Sequence, residues 1–295
     1  MTKAEPALVV RGLCKSYPLP GGGRTAAVDD VSFSVAAGCS LGVVGESGSG
    51  KTTVARMLVG LVRPDAGTIA VNGRERTPRE RGGKLPGPGR RRPGGGRTAR
   101  LRRAREIQIV FQDPYVSLDP RLTARQCLHG ALRLHGRYEG EAAVTRVGEL
   151  LDQVGLGKRE ADARPCGLSG GQRQRLAIAR ALAVDPQVLV LDEAVAALDV
   201  SIQAQILQLL ADIRRETGVA LVFVSHDLAV VRHITDDTLV MRRGRTVETG
   251  PTARVLDAPA DPYTRLLLSS VPREGWDPAE TVRLRGELAG ATRKD

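Results

Sequence analysis

Aromatic residues and long apolar runs are both scarce in this 295-residue sequence. Aromatics make up 3% of the chain and apolar residues 41%, which predicts an almost wholly aliphatic core. The longest purely apolar runs, such as 219–224, are the size of a strand. A helix that spans a bilayer needs roughly 18 apolar residues, so none is expected, and no signal peptide is recognised. We expect a soluble protein that is long enough to bury a substantial core.

Paired cysteines are missing as well. The four cysteines, Cys14, Cys39, Cys127 and Cys166, are far apart and form no C-x-x-C pair. This pattern is typical of free thiols in a reducing compartment and argues against a disulfide scaffold.

Net charge is absent outside one segment. Residues 74–105 contain twelve arginines and one lysine against two glutamates, and their net charge of +11 equals that of the whole chain. The basic balance therefore gives little support to a nucleic-acid function for the folded body. The Arg, Gly and Pro composition of 74–98 predicts a solvated, mobile surface insertion. The alternative is a segment that binds an acidic surface or lipid headgroups.

Strand and helix patterns follow one another in a definite order. Strand-like runs at 8–13, 31–35 and 41–45 precede a helical stretch at 51–61, and Asn72-Gly73 is suited to a tight turn. Residues 107–111 resemble a strand, and the helical spacing within 123–183 predicts an all-helical subdomain. Strands at 188–191 and 219–224 then alternate with helices at 171–183, 202–216 and 228–234, which predicts a parallel sheet covered by helices. A closing hairpin at 238–248 and one or two helices after 251 complete the prediction.

A glycine-rich loop stands between an apolar strand and a helix, as a phosphate-binding P-loop requires. Its residues are Gly45, Glu46, Ser47, Gly48, Ser49, Gly50, Lys51 and Thr52. The glycines allow backbone N–H groups to surround a β-phosphate, and the helix N-terminus adds positive potential. Lys51 is expected to reach the β- and γ-oxygens, and the Thr52 hydroxyl to ligate Mg²⁺. The alternative is a glycine turn that caps an ordinary helix.

The stretch 188–193 reads as a buried strand that ends in two carboxylates, Asp192 and Glu193. Asp192 is expected at the C-terminal edge of the sheet, where open α/β sheets bind ligands, and can hold Mg²⁺ through water. Glu193 is then free to polarise an attacking water near a γ-phosphorus. Alone, a strand that ends in Asp-Glu is more often structural; the P-loop favours the chemical interpretation.

The segment Leu168-Ser169-Gly170-Gly171-Gln172, called here the signature segment, precedes a helix. Ser169 and Gln172 have the spacing of a capping box, which is a complete structural explanation. A second interpretation is half of a phosphate site, because serine and glycines at a helix start bind anions but no lysine or metal ligand is near. Such a half-site becomes useful if it closes over the γ-phosphate held by another subunit.

The P-loop, the signature segment, the strand that ends in Asp192-Glu193, and His226 together resemble the nucleotide-binding subunits of ABC transporters. The resemblance covers residues from about 8 to 270. It implies an α/β fold: a RecA-like P-loop NTPase core with an antiparallel β subdomain and an inserted α-helical subdomain. The core and β subdomain would comprise 1–73, 106–122 and 184–250, with an insertion at 74–105, the helical subdomain at 123–183 and a C-terminal extension at 251–295.

The resemblance also implies an ATPase with ATP and Mg²⁺ as its cofactors, working as a head-to-tail dimer. Glu193, His226 and Gln112 would be catalytic, and Thr52, Gln112 and Asp192 would hold the metal. The residues that would contact nucleotide are Tyr17, Gly45, Ser47, Gly48, Ser49, Gly50, Lys51, Thr52, Thr53, Gln112, Ser169, Gly171, Gln172, Asp192, Asp199 and His226. Tyr17 would stack on adenine, and Asp199 would lie in the loop after the catalytic carboxylate. The structural alternatives are core packing for Tyr17 and a helix-start role for His226.

Stretches at 110–121, 199–205 and 262–267 resemble the oligopeptide, dipeptide and nickel importer branch. Ala196 and Cys166 depart from residues common there, and the tail lacks the cysteines of an iron–sulfur cluster. The branch implies peptide import on the cytoplasmic face of the membrane, with two permease subunits, a second ATP-binding subunit and, indirectly, a solute-binding protein. The alternatives are import of nickel or another small solute, and a soluble ABC ATPase acting on nucleic acid or ribosomes. A single P-loop without a coiled-coil insertion disfavours the last, so no nucleic-acid partner is expected.

Overall fold

The computed structural model describes residues 6–76, 95–270, 279 and 282–286. Its strands are β1 (Pro6–Pro18), β2 (Arg24–Ala36), β3 (Ser40–Val44), β4 (Ala66–Val71), β5 (Arg74–Glu75), β6 (Ile107–Phe111), β7 (Val188–Asp192), β8 (Ala220–Val224), β9 (Asp237–Arg242) and β10 (Arg245–Pro251). Its helices are α1 (Lys51–Leu58), α2 (Gly95–Glu106), α3 (Ala124–His135), α4 (Gly140–Gln153), α5 (Lys158–Ala161), α6 (Gly170–Leu182), α7 (Val200–Thr217), α8 (Leu228–Ile234), α9 (Thr252–Asp257) and α10 (Pro262–Ser269). Short 3₁₀ helices occur at Pro114–Val116 and Pro165–Gly167.

The larger sheet has the strand order β10-β9-β3-β8-β7-β6, and all neighbours are parallel except the antiparallel edge strand β10. Every residue of β3, β7 and β8 is buried, as expected where helices cover both faces of a parallel sheet. Phe111 pairs with Asp192, which pairs with Val224. The C-terminal ends of β6, β7, β8 and β3 therefore meet at one edge, called here the site edge.

The smaller sheet is antiparallel, in the order β2-β1-β4-β5. Val71 pairs with Arg74 across Asn72 and Gly73, whose φ values of 45° and 72° are those of a two-residue hairpin turn. The turn predicted from Asn72-Gly73 is confirmed. With the parallel sheet and the helices below, this sheet confirms the predicted α/β fold class.

The region between β6 and β7 is helical in the described chain, and it shares its core with the larger sheet. Leu132, Leu150 and Leu176 belong to the same buried cluster as Leu191 and Phe223. Helix α3 begins with a complete capping box formed by the side chains and backbone of Thr123 and Gln126. The T-x-x-Q spacing that encodes it was present in the sequence but was not recognised.

The prediction of a solvated insertion at 74–98 is wrong at Arg76, which is buried, whereas Arg74 and Glu75 are exposed. Arg74 and Glu75 form β5, and Gly95 begins helix α2, whereas 77–94 lie outside the described residues. The Arg76 side chain is 8% exposed and its Nε lies 3.3 Å from Glu106 Oε2. It also donates hydrogen bonds to the carbonyls of Leu58 and Arg103. A buried arginine with an acidic partner can anchor a chain that has almost no apolar residues.

Helices α9 and α10 follow residue 251, in line with the helices predicted there, and they pack against strands of the larger sheet. Val255 and Leu256 of α9 and Tyr263 of α10 share a buried cluster with Val44 and Val240. The four cysteines are free thiols, as expected. Within the described ranges, no helix has the length and apolarity needed to cross a membrane.

Candidate nucleotide-binding site

The P-loop connects the end of β3, at the site edge, to the start of helix α1. Two of its glycines have no room for a side chain. Gly45 has φ 149°, and a Cβ there would lie 2.2 Å from the Met241 carbonyl oxygen. Gly50 has φ 106°, and its Cβ would lie 2.2 Å from the Ala27 carbonyl oxygen. Close packing on β9 and β2 therefore fixes the loop, in addition to the backbone freedom that glycine provides.

Lys51 is the first residue of α1 and points back into the loop. Its ammonium nitrogen lies 2.7 Å from the Gly45 carbonyl oxygen and 2.8 Å from that of Glu46. It is buried, and burial lowers its pKa, although the negative charges of Glu193, Asp192 and Glu46 oppose this. A cation is thus held among backbone groups at a helix N-terminus, where the positive potential favours phosphate.

Thr52 and Asp192 meet across the site edge. The Thr52 hydroxyl donates to Asp192 Oδ1 over 3.3 Å. Burial raises the Asp192 pKa, and the Thr52 hydrogen bond partly offsets this rise. A hydroxyl beside a carboxylate is an oxygen set that suits Mg²⁺, which is usually bound by one or two carboxylates together with phosphates and water. The described residues contain no cluster of three or more His, Cys, Asp or Glu that could hold a metal by itself.

Glu193 follows Asp192 with an unusual backbone. Its φ is 51°, in the left-handed region that non-glycine residues rarely adopt, and its N–H donates to the Val224 carbonyl oxygen over 3.0 Å. Its carboxylate Oε1 lies 3.5 Å from His226 Nδ1. Strain of this kind is concentrated at functional sites, where the surrounding structure imposes it. The left-handed conformation of Glu193 changes the direction of the chain directly after Asp192.

Gln112 and Tyr17 are exposed. Gln112 follows β6, the neighbour of β7, and so lies at the site edge; no hydrogen bond of the described residues joins it to Thr52 or Asp192. Tyr17 is near the end of β1, and the Lys15 ammonium lies 5.6 Å from the centre of its ring. Asp65 holds this segment by accepting from the Lys15 ammonium and the Ser16 N–H. An exposed tyrosine there has a free ring face to offer a base.

The signature segment forms a separate group on α6. Ser169 caps the helix, and the reciprocal hydrogen bonds with Gln172 complete the predicted capping box. A Cβ on Gly171 would lie 2.6 Å from Ile202 Cγ2, so α6 packs closely on α7 at this point. Asp199 caps α7 and accepts from the Ser201 hydroxyl and the Ile202 N–H, both of which lower its pKa.

The structure therefore arranges the predicted residues in two groups. Lys51, Thr52, Asp192, Glu193 and His226 lie together at the site edge. The second group consists of Ser169, Gly171, Gln172 and Asp199, and in the part of the chain that the structure describes no hydrogen bond joins it to the P-loop.

One contact with the P-loop was missed by sequence reasoning. The Glu46 N–H donates to the hydroxyl of Tyr263, which lies in α10. The stretch around Tyr263 was noted for its resemblance to one importer branch, but nothing in it indicated contact with a loop so distant in sequence.

Comparison with known proteins agrees with this geometry. The ABC transporter family matches residues 28–196, and the family described as the oligopeptide/dipeptide transporter C-terminal region matches 247–295. The chain belongs to the ABC transporter family, whose ATP-binding cassettes bind ATP with Mg²⁺ and hydrolyse it.

The curated relatives include the glutathione import ATP-binding protein GsiA of Salmonella typhimurium, 46% identical over 278 residues that cover 92% of this chain and 42% of the relative. GsiA of Escherichia coli K12 is 46% identical over 274 residues, covering 91% of this chain and 41% of that protein. The chain thus spans about two fifths of the length of these relatives.

Among solved structures, the dimeric ATP-binding cassette MJ0796 bound to ADP and Pi matches with a TM-score of 0.69 and 28% identity, covering 83% of this chain and 98% of that one. The Clostridium perfringens protein cbiO1, part of the transporter complex cbiONQ, matches with a TM-score of 0.70 and 26% identity, covering 86% of this chain and 92% of that one.

Proposed function

We propose that this chain is the ATP-hydrolysing subunit of an importer that takes up peptides through partner permeases. The observation that carries the ATPase part is the meeting of Thr52 with Asp192, and of Glu193 with His226, beside the buried ammonium of Lys51. The peptide part is supported by the C-terminal match at 247–295 and by relatives named for import of glutathione, itself a tripeptide.

In this proposal each group at the site edge has one task. Lys51 stabilises negative charge on the β- and γ-phosphates, and Thr52 with Asp192 would hold Mg²⁺, which would supply charge neutralisation at the phosphates. Glu193 accepts a proton from the water that attacks the γ-phosphorus, and ADP leaves as the new bond forms. His226, next to Glu193, is within reach of the γ-phosphate side of the site. Gln112, which directly follows the neighbouring strand β6, would complete the metal site.

The second group supplies the other half of a composite site. Ser169, Gly171 and Gln172 would face the γ-phosphate held by the P-loop of a second ATP-binding subunit, with Asp199 at the same interface. A helix N-terminus with serine and glycines but no lysine or metal ligand suits a phosphate already held elsewhere. The dimeric form of the structural relative MJ0796 supports this arrangement.

The chain would act at the cytoplasmic face of the membrane with two permease subunits and, through them, a solute-binding protein. The direct test is transport. The chain is reconstituted in liposomes with the permeases, the solute-binding protein and any second ATPase subunit encoded beside its gene. Uptake of labelled di- and tripeptides is then measured with ATP enclosed in the liposomes, on the side of the membrane that carries this chain. We expect peptide uptake that stops with Glu193→Gln. Uptake of Ni²⁺ but not peptides would contradict the peptide substrate and leave the ATPase role intact.

A further inference from the structure

Helix α10 delivers a buried hydroxyl to the start of the P-loop. The Glu46 N–H donates to Tyr263 Oη over 3.1 Å, and the Tyr263 side chain is 2% exposed. The Glu46 carbonyl oxygen accepts from the Lys51 ammonium. Glu46 is therefore held on both sides, by Lys51 at its carbonyl and by Tyr263 at its N–H.

The Tyr263 ring is fixed against the strands that carry the site. It belongs to the buried cluster that contains Val44, the last residue of β3, and Val240 of β9. The Arg242 guanidinium lies 5.0 Å from the ring centre. Burial raises the pKa of the Tyr263 hydroxyl, so the group is neutral at physiological pH and available as a hydrogen-bond acceptor.

The chain before α10 is anchored just as firmly. The Glu248 carboxylate of β10 is 7% exposed and accepts from the N–H groups of Ala260 and Asp261, at 2.9 and 3.1 Å. Asp261 in turn caps α10 by accepting from the Tyr263 N–H over 2.7 Å. Burial opposes ionisation of Glu248, but the hydrogen bonds that the carboxylate accepts bring its pKa below the ordinary value. The buried, ionised Glu248 side chain therefore fixes the segment that precedes Tyr263.

We propose that Tyr263 is a positioning residue of the nucleotide site and that the C-terminal region, through it, sets the affinity of the P-loop for ATP. The proposal rests on the proposed ATPase function. A phosphate-binding loop must present several N–H groups together, and a loop already held in that form loses less entropy when the ligand binds. The hydrogen bonds of the Glu46 N–H and carbonyl fix the beginning of the loop before any nucleotide binds.

The test compares two Tyr→Phe variants of the full chain. Tyr263→Phe keeps the ring and removes the hydroxyl, and Tyr138→Phe is the matched control, because its hydroxyl lies 3.4 Å from Asp185, away from the P-loop. Binding of a fluorescent ATP analogue and steady-state hydrolysis are measured for both. For Tyr263→Phe we expect ATP affinity to fall and KM to rise by about three- to tenfold, the range that corresponds to one net hydrogen bond. We expect kcat to stay within about twofold, as for lost positioning in the ground state.

A second variant keeps the test independent of how Tyr263→Phe folds. Glu248→Gln leaves the Tyr263 hydroxyl in place but weakens its anchor, and we expect KM to rise in the same direction. Unchanged KM and affinity in both variants would overturn the proposal, as would a fall in kcat at unchanged KM. In either case wild-type turnover would leave the proposed function standing; a wild-type chain that neither binds nor hydrolyses ATP would overturn both.

Discussion

His226 Nδ1 lies 3.5 Å from Glu193 Oε1, at the point where β8 and β7 end side by side. The glutamate reaches this position through a left-handed backbone turn, with φ 51°. A carboxylate at the edge of a parallel sheet, beside a histidine, is well placed to accept a proton from an attacking water.

Replacing Glu193 by Gln should lower the ATP hydrolysis rate by about 10²-fold or more, because the water loses its proton acceptor. Binding of ATP should be preserved, since Lys51, Thr52 and Asp192 are unchanged. The measurement is phosphate release under steady-state conditions, together with ATP affinity. Glu149→Gln, at a mostly exposed position of α4, is the matched control and should behave as wild type. Near-normal turnover of Glu193→Gln would remove this residue from the mechanism.

Asp192→Asn should stabilise the nucleotide-free protein at neutral pH, because it removes a charge whose burial is unfavourable. Burial raises the Asp192 pKa in the folded state, so its ionised form opposes folding at pH values above that pKa. The stabilisation should disappear as the pH falls through the folded pKa toward the ordinary value for aspartate, because the wild-type side chain becomes neutral. Thermal unfolding without nucleotide between pH 4 and 8 measures this. A variant less stable than wild type at pH 7 would mean that the Thr52 hydrogen bond outweighs burial.

Much of this arrangement could be predicted from the sequence because its signals are local. The P-loop is one continuous segment, and β7 ends at Asp192 as the apolar run at 188–191 indicated. The Asn72-Gly73 turn and the Ser169 capping box depend on residues three positions apart or fewer. The parallel sheet was predicted from the alternation of strands and helices, which the order of local hydrophobic patterns along the chain indicates.

What could not be predicted depends on contacts between distant parts of the chain. The hydrogen bond between Tyr263 and Glu46 depends on the packing of α10 against Val44 of β3 and Val240 of β9, which no local pattern encodes. Arg76 lies in a segment whose composition predicts solvation, and only its partner Glu106, beyond the insertion, explains its burial. The left-handed backbone of Glu193 likewise follows from how β7 and β8 end, since glutamate has no intrinsic preference for it.

Removing one partner of the Arg76–Glu106 ion pair should lower the free energy of unfolding more than replacing both partners. Arg76→Met leaves the Glu106 carboxylate without its buried partner and should lower the free energy of unfolding by about 3 kcal/mol. The double variant Arg76→Met with Glu106→Leu should recover part of that loss, because an apolar pair replaces the ion pair while the Leu58 and Arg103 carbonyls still lack their donor. Urea unfolding of the four proteins in a double-mutant cycle measures the coupling. Equal stability of Arg76→Met and wild type would show that the pair is not coupled to folding.

The proposed enclosure of one ATP by the P-loop of one subunit and the signature segment of another is tested by ATP-dependent dimerisation. Dimerisation of the Glu193→Gln protein is measured by light scattering. Thr123→Arg controls for loss of a capping box, because Thr123 caps α3 with the same reciprocal hydrogen bonds as Ser169. Lys51→Ala serves as the reference for lost nucleotide binding within one subunit.

With ATP we predict a dimer for Glu193→Gln and for its combination with Thr123→Arg. Adding Ser169→Arg should leave a monomer that still binds ATP with unchanged affinity, because the added side chain would block closure without touching the P-loop of the same subunit. Dimerisation that survives Ser169→Arg, or a loss of monomer ATP binding as large as that caused by Lys51→Ala, would contradict the account.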